Sequence, residues 1–184
     1  VRRASSPNSQ VVSPPQIVAI FEQYETVSDA VGIGYILGGK AFYELTFPSA
    51  NATWLYEIST GNWVRLSSYQ EYNDMDGRHR TNCICRFDNT IIAGDYENGS
   101  IYQLDHDTYT DNGHRIIRSR TAPVIMDDQN HGLISIHSLE IQFEPGVGLE
   151  DGQGEEPKAM LRMSDDGGYT FGNEHWKSIG RIGQ

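Results

Sequence analysis

Cysteine is nearly absent from this chain, and basic residues are scarce. Only Cys83 and Cys85 occur, one residue apart in C-I-C. On a strand that spacing puts both side chains on one face, with Cβ atoms too far apart and wrongly directed for an easy disulfide. Both read as small buried hydrophobes. A zinc site needs further Cys or His at ligand spacing, so no metal or other cofactor is expected. Lys and Arg number 14 against 25 Asp and Glu, a formal net charge of −11. A surface this acidic does not hold DNA by neutralising phosphates. Long apolar runs are missing too. None approaches the roughly 20 residues of a membrane helix, so no membrane partner is expected for the isolated domain. Val1-Arg2-Arg3 leads into polar residues rather than the apolar core of a signal peptide. Without secretion signals, the sequons at Asn51-Ala52-Thr53 and Asn98-Gly99-Ser100 read as chance matches. Phosphate loops, dinucleotide fingerprints and nucleophile elbows are lacking. Nothing in the spacing of the acids selects a glycosidase pair.

What is abundant is glycine, at 19, with Tyr, Phe and Trp at 10%. Glycine punctuation with many aromatics favours short strands joined by turns. Residues 1–12 read as a polar, extended lead-in, and residues 13–184 as a single β-rich domain excised from a longer protein. One helix is predicted. Ser13 would cap it, Pro14 would fill its first position and Gln16 would complete a capping box. Ile17, Ile20, Phe21 and Tyr24 then form one apolar stripe.

From Asp29 the period changes to two. Val31, Ile33, Tyr35 and Leu37 alternate, Gly38-Gly39 turns the chain, and Ala41, Tyr43, Leu45 and Phe47 line the next strand. Trp54, Tyr56 and Ile58 form a third face, and Thr60-Gly61-Asn62 leads into Trp63–Leu66. A polar loop over 67–79 follows. Strands are then expected around Cys83–Phe87, over Thr90–Asp95 and Ser100–Leu104, over His114–Arg120 and Leu139–Phe143, and at Met160–Met163. Residues 144–157 read as a long acidic, glycine-rich loop.

An internal similarity bears on architecture. "WLYEIST" from Trp54 aligns with "SIYQLDH" from Ser100, each preceded by a matching strand, "YELTF" and "NTIIA". The two instances lie 46 residues apart, and four short strands recurring every forty-odd residues are the mark of propeller blades. The expectation is an all-β, partial β-propeller with one short helix and blade-like units at about 29–66, 80–126 and 134–184. A plain meander or sandwich is the alternative.

Four stretches carry candidate chemistry. Ser164, Asp166, Gly168, Thr170 and Phe171 fit S-x-D-x-G-x-T-[FW], an Asp-box. Its carboxylate and hydroxyls bond the backbone of a turn, glycine supplies a positive φ, and the aromatic packs beneath. The role expected is structural, with Asp165 solvated and Trp176 packed onto the sheet. Asn73-Asp74-Met75-Asp76-Gly77 resembles half a calcium loop, but counting from Asp74 the twelfth position is Cys85 rather than glutamate. Asp105–Asp107 with Asp111-Asn112-Gly113 is a second acidic turn region, read as solvated. Arg115, Arg118 and Arg120, beside His114, read either as a water-facing edge strand or as an electrostatic contact to an acidic partner.

The order of three blocks, "VSDAVGIGYILGGKAFYELTFPSANATWLYEISTGNW", "IIAGDYENGSIYQLDHDTYTDNG" and "HSLEIQFEPGVG…MLRMSDDGGYTFGNEHWKSIGRIG", resembles the packaged-DNA stabilisation proteins of short-tailed bacteriophages, also called tail hub or nozzle proteins. The resemblance implies a non-enzymatic virion protein of the phage tail, assembled in the host cytoplasm, in free phage or prophage. It implies self-association of the full-length protein into a ring below the portal and adaptor, helping to close the channel on packaged DNA. Partners would be the adaptor ring and the tail needle, tailspike or fibre, with DNA enclosed but not read by sequence. Two rival readings are a sialidase-like propeller glycosidase, prompted by the Asp-box, and a carbohydrate-binding module using Trp54, Trp63 and Trp176.

Overall fold

A computed structural model describes residues 1–5, 8–71, 73–126, 134–143 and 156–180. The chain divides into two compact units, Val1–Arg118 and Ser119–Gln184, where the sequence pattern suggested one continuous domain.

The first unit opens with a hairpin, β1 (Arg2–Ser5) against β2 (Asn8–Val11), rather than an extended lead-in. Helix α1 (Pro15–Glu22) follows. Its start lies one residue later than predicted. Pro15 takes the first helical position, Pro14 stands at the cap without a side-chain bond, and the Pro14 carbonyl accepts from the amides of Ile17 and Val18. Ser13 is not the cap. It is buried, and its Oγ accepts a hydrogen bond from the Val1 nitrogen at 2.9 Å.

Strands β3 (Val31–Leu37), β4 (Lys40–Phe47), β5 (Ala52–Glu57) and β6 (Trp63–Leu66) form an antiparallel meander in chain order. The β3–β4 turn has positive φ at both central residues, 56° at Gly38 and 77° at Gly39, the backbone a two-residue hairpin demands. The register opposes Tyr43 to Tyr56 and Leu45 to Trp54, so these side chains share one face. The helical stripe covers that face: Ile17, Leu45, Phe47 and Trp54 are buried together, with Ile20, Phe21, Tyr24, Tyr43 and Trp63 packed around them. The Phe21 and Phe47 ring centroids are 4.9 Å apart, and those of Tyr24 and Phe47 are 5.0 Å apart. The opposite face is polar yet buried, carrying Glu44, Thr46 and Thr53.

Within the expected polar loop lies another small hairpin, β7 (Ser68–Gln70) with β8 (Met75–Gly77). Gln70 explains it. Its side chain is 2% exposed, bonds both amide atoms of Asn51, donates to the Tyr96 hydroxyl and accepts from the Asn73 amide. A Cβ at Gly77 would sit 2.1 Å from the Gln70 amide carbon, so a side chain there would displace the bonded Gln70 amide.

The second sheet contains β9 (Thr81–Phe87), β10 (Thr90–Asp95) and β11 (Ile101–Leu104), ordered β11-β10-β9. The internal similarity thus aligns β4 with β10 and β5 with β11. Cys83 and Cys85 are exposed rather than buried. The register sets Cys85 opposite Ile92 and Cys83 opposite Gly94, while the inward positions of β10 belong to Ile91 and Ala93, at 6% and 1% exposure. Alternation therefore turns the cysteines outward, together with Phe87 and Ile101.

A short hairpin, β12 (Thr110–Asp111) with β13 (His114–Arg115), ends the regular structure of the first unit. The strand predicted over His114–Arg120 is thus two residues long. In the second unit β14 (Lys158–Leu161) pairs with β15 (His175–Ser178), setting Met160 opposite Trp176. Leu139–Phe143 is not in a strand. Most of the glycine-rich stretch 144–157 lies outside the described residues. Among the described residues the chain is mostly β with one short helix, no sheet closes and no ring of blades forms.

Candidate functional site

The connection between β14 and β15 brings four of the five Asp-box residues together. Asp166 Oδ1 accepts from Ser164 Oγ at 2.8 Å and from the Thr170 amide at 2.8 Å, while Oδ2 accepts from Thr170 Oγ1 at 2.6 Å. Ser164 Oγ in turn accepts from the Gly168 amide at 2.8 Å. Gly167 and Gly168 have φ of 76° and 95°, a backbone in which a side chain is strained. The Thr170 hydroxyl and amide, then the Ser164 hydroxyl, hold the Asp166 carboxyl well below the usual carboxylate range. Phe171 departs from the expectation. It is 41% exposed, with the Arg162 guanidinium 5.6 Å from its ring centroid. Trp176, expected to pack on the sheet, is 52% exposed and donates from Nε1 to Glu174. Asp165 and His175 are exposed.

Arg115, Arg118 and Arg120 are all exposed. Only Arg115 is in a strand, and Arg118 lies 5.6 Å from the Tyr109 ring centroid, so the three do not line one strand edge. The acidic stretches turn on themselves. The Asn73 side-chain oxygen accepts from the Met75 amide, Tyr69 donates to Asp74, and the Asp105 carboxylate accepts from the Asp107 amide.

Two buried polar clusters escaped the sequence reading. In the first, Arg80 is 5% exposed and donates from one nitrogen to Asp95 at 3.1 Å and to Glu97 at 2.9 Å. Asp95 also accepts from the Tyr102 hydroxyl at 2.8 Å and the Glu97 amide at 2.7 Å. Burial pushes the Asp95 carboxyl up, but these donors outweigh it and the net shift is downward. Beside this cluster lies an open cleft of about 410 Å³ lined by Glu71, Arg80, Glu97, Asn98 and Asn112. Arg80 is already committed to two carboxylates, so the cleft does not offer a free cation to an anionic ligand.

In the second cluster, Glu44 is 1% exposed and accepts from His79 Nδ1 at 3.1 Å through Oε1, while Oε2 has no hydrogen-bond partner. The amides of Arg78, His79 and Arg80 donate in sequence to Asn51 Oδ1, Thr53 Oγ1 and Ser68 Oγ. Single polar residues inside apolar alternation, such as Glu44 in "FYELTF", were the available signal for such a cluster. The partner of Glu44 lies 35 positions away, which no local pattern reveals.

These networks tie the chain to itself. Trp54 is in the core, and Trp63 is half-buried with its Nε1 donating to the Val12 carbonyl, which removes the three-tryptophan platform of a carbohydrate-binding module. What the structure defines is an all-β scaffold whose described polar side chains are used mainly to hold turns and join sheets.

Residues 118–184 match the family model described as bacteriophage P22 Gp10, beta-sandwich. That is a little over a third of the chain, and its C-terminal part is similar to this sandwich domain. The comparison with curated proteins and that with solved structures each found no match. The matched family is described as a sandwich, which packs two sheets face to face, and not as a propeller, which arranges blades radially.

Proposed function

We propose that this chain is a structural piece of the tail of a short-tailed bacteriophage, of the hub or nozzle type. The observation that carries the reading is the match of residues 118–184 to the P22 Gp10 beta-sandwich. The order of the three sequence blocks supports it over the remainder of the chain. On this reading the full-length protein assembles as a ring below the portal and adaptor, helps retain packaged DNA, and docks the needle, tailspikes or fibres. It resides in the virion, after assembly in the host cytoplasm, and performs no catalysis. The turn at Ser164–Phe171 serves as a rigid structural connection.

Exposed apolar side chains fit surfaces that become covered on assembly. Ile125 (70%), Ile136 (58%), Leu139 (59%) and Trp176 (52%) are examples outside the first unit's core. Electron microscopy of the full-length protein, alone and in intact virions, tests the proposal. Rings of uniform size, and matching density beneath the portal, are expected. A protein that stays monomeric at high concentration and is missing from purified virions would sink it.

A further inference from the structure

The Glu44–His79 pair is placed unlike an ordinary surface ion pair. Glu44 projects from the middle of β4, the second strand of a four-stranded sheet, into the buried polar face. His79 belongs to the short connection between β8 and β9 and reaches back across it. One carboxylate oxygen is bonded to the imidazole, and the other has no partner. A buried carboxylate flanked by a neutral imidazole and the neutral Tyr35 hydroxyl is costly, because no positive charge balances it. Protonating His79 supplies the missing positive charge in place.

The surrounding groups favour that protonated form. Tyr35 on β3 faces Glu44, and burial followed by the carboxylate raises its hydroxyl pKa, so it stays neutral. Asp111 on β12 adds a second negative charge toward His79. The flanking cations are engaged elsewhere: Arg78 stacks on the Tyr96 ring at 3.6 Å, and Arg80 holds Asp95 and Glu97. Burial alone would lower the imidazole pKa, but Glu44 and then Asp111 outweigh it, and the net shift is upward.

We propose that Glu44 and His79 form a protonation-dependent clamp, which holds residues 78–80 against β5, the turn before it and β7 when His79 is charged and loosens when it is neutral. The clamp acts on a specific set of bonds, the consecutive amide donations of Arg78, His79 and Arg80 to Asn51, Thr53 and Ser68. Because the folded pKa of His79 lies above its ordinary value, the stabilisation is complete below the ordinary histidine range. It is lost as pH rises through the folded value.

Nuclear magnetic resonance on the whole chain tests this without any variant. The His79 ring is titrated between about pH 6 and pH 9, and protection of the three amides, corrected for intrinsic exchange, is followed in parallel. The expected result is a ring that titrates above the ordinary histidine range and a severalfold loss of protection along the same curve. H79Q, which keeps a donor but not a charge, and E44Q should both flatten the pH dependence, and E44Q should lower the His79 titration. A His79 ring titrating at or below the ordinary value would overturn the proposal. So would amide protection that varies with pH to the same extent in H79Q.

Discussion

Asp166 accepts three hydrogen bonds from side chains and backbone within four residues of itself, so its carboxylate is built into the turn. Asp166→Ala should loosen the segment between β14 and β15, seen as faster proteolytic cleavage there and a lower melting temperature. Equal cleavage rates in the two proteins would contradict this. Since the folded pKa is depressed, the contribution is present above the ordinary aspartate range and disappears as pH falls through the lowered folded value. Arg80 illustrates a different residue-scale logic. Asp95, whose side chain is out of solvent, and Glu97 both depend on it. Arg80→Met should cost roughly 3 kcal/mol in urea unfolding, because a buried carboxylate loses its counter-charge. A loss within about 0.5 kcal/mol would mean that the pair behaves like a solvent-exposed one. Arg80 carried no signal in the sequence, because its partners are supplied by a hairpin 15 and 17 positions later.

At the scale of elements, the first unit rests on helix α1 against the β3–β6 sheet. Phe47 is central, at 3% exposure with Phe21 and Tyr24 rings against it. Phe47→Ala should cost about 3–5 kcal/mol, measured by chemical denaturation, and should release the helix in the same transition. Retention of the helical signal after the sheet has melted would show that the two do not depend on each other. This contact was legible in advance, because the 3.6-residue stripe of Ile17, Ile20, Phe21 and Tyr24 and the alternation of Tyr43, Leu45 and Phe47 each mark one apolar face. The cap was not. Two adjacent prolines both suit the first helical turn, and the choice went to Pro15, leaving Ser13 to be buried against the N-terminal hairpin. The cysteine strand was misjudged for a related reason. Period two identifies which residues share a face but not which face meets the core.

For the molecule as a whole, charge sets one expectation. With a net −11, the protein should not bind duplex DNA tightly at physiological salt. Retarded migration of DNA at micromolar protein, insensitive to salt, would refute it. Architecture was less legible. A repeat of strand patterns aligned two stretches that are both antiparallel hairpins, β4–β5 and β10–β11, yet it also suggested a third blade where the match is to a beta-sandwich. Blades and sandwich sheets are both antiparallel meanders locally. They differ in how sheets are placed against one another, and that information is not periodic.

By itself the sequence determined the β-rich class, the single amphipathic helix, the glycine-dependent turns and the polar ring of bonds available at Ser164–Thr170. All of these are local consequences of side-chain spacing and backbone sterics. Only the tertiary structure decided the burial of Glu44, Gln70 and Arg80, the outward facing of Cys83 and Cys85, and the hairpin within the polar loop. Each depends on partners distant in the chain, where the cost of burying a polar group is offset only once its partner has been brought beside it.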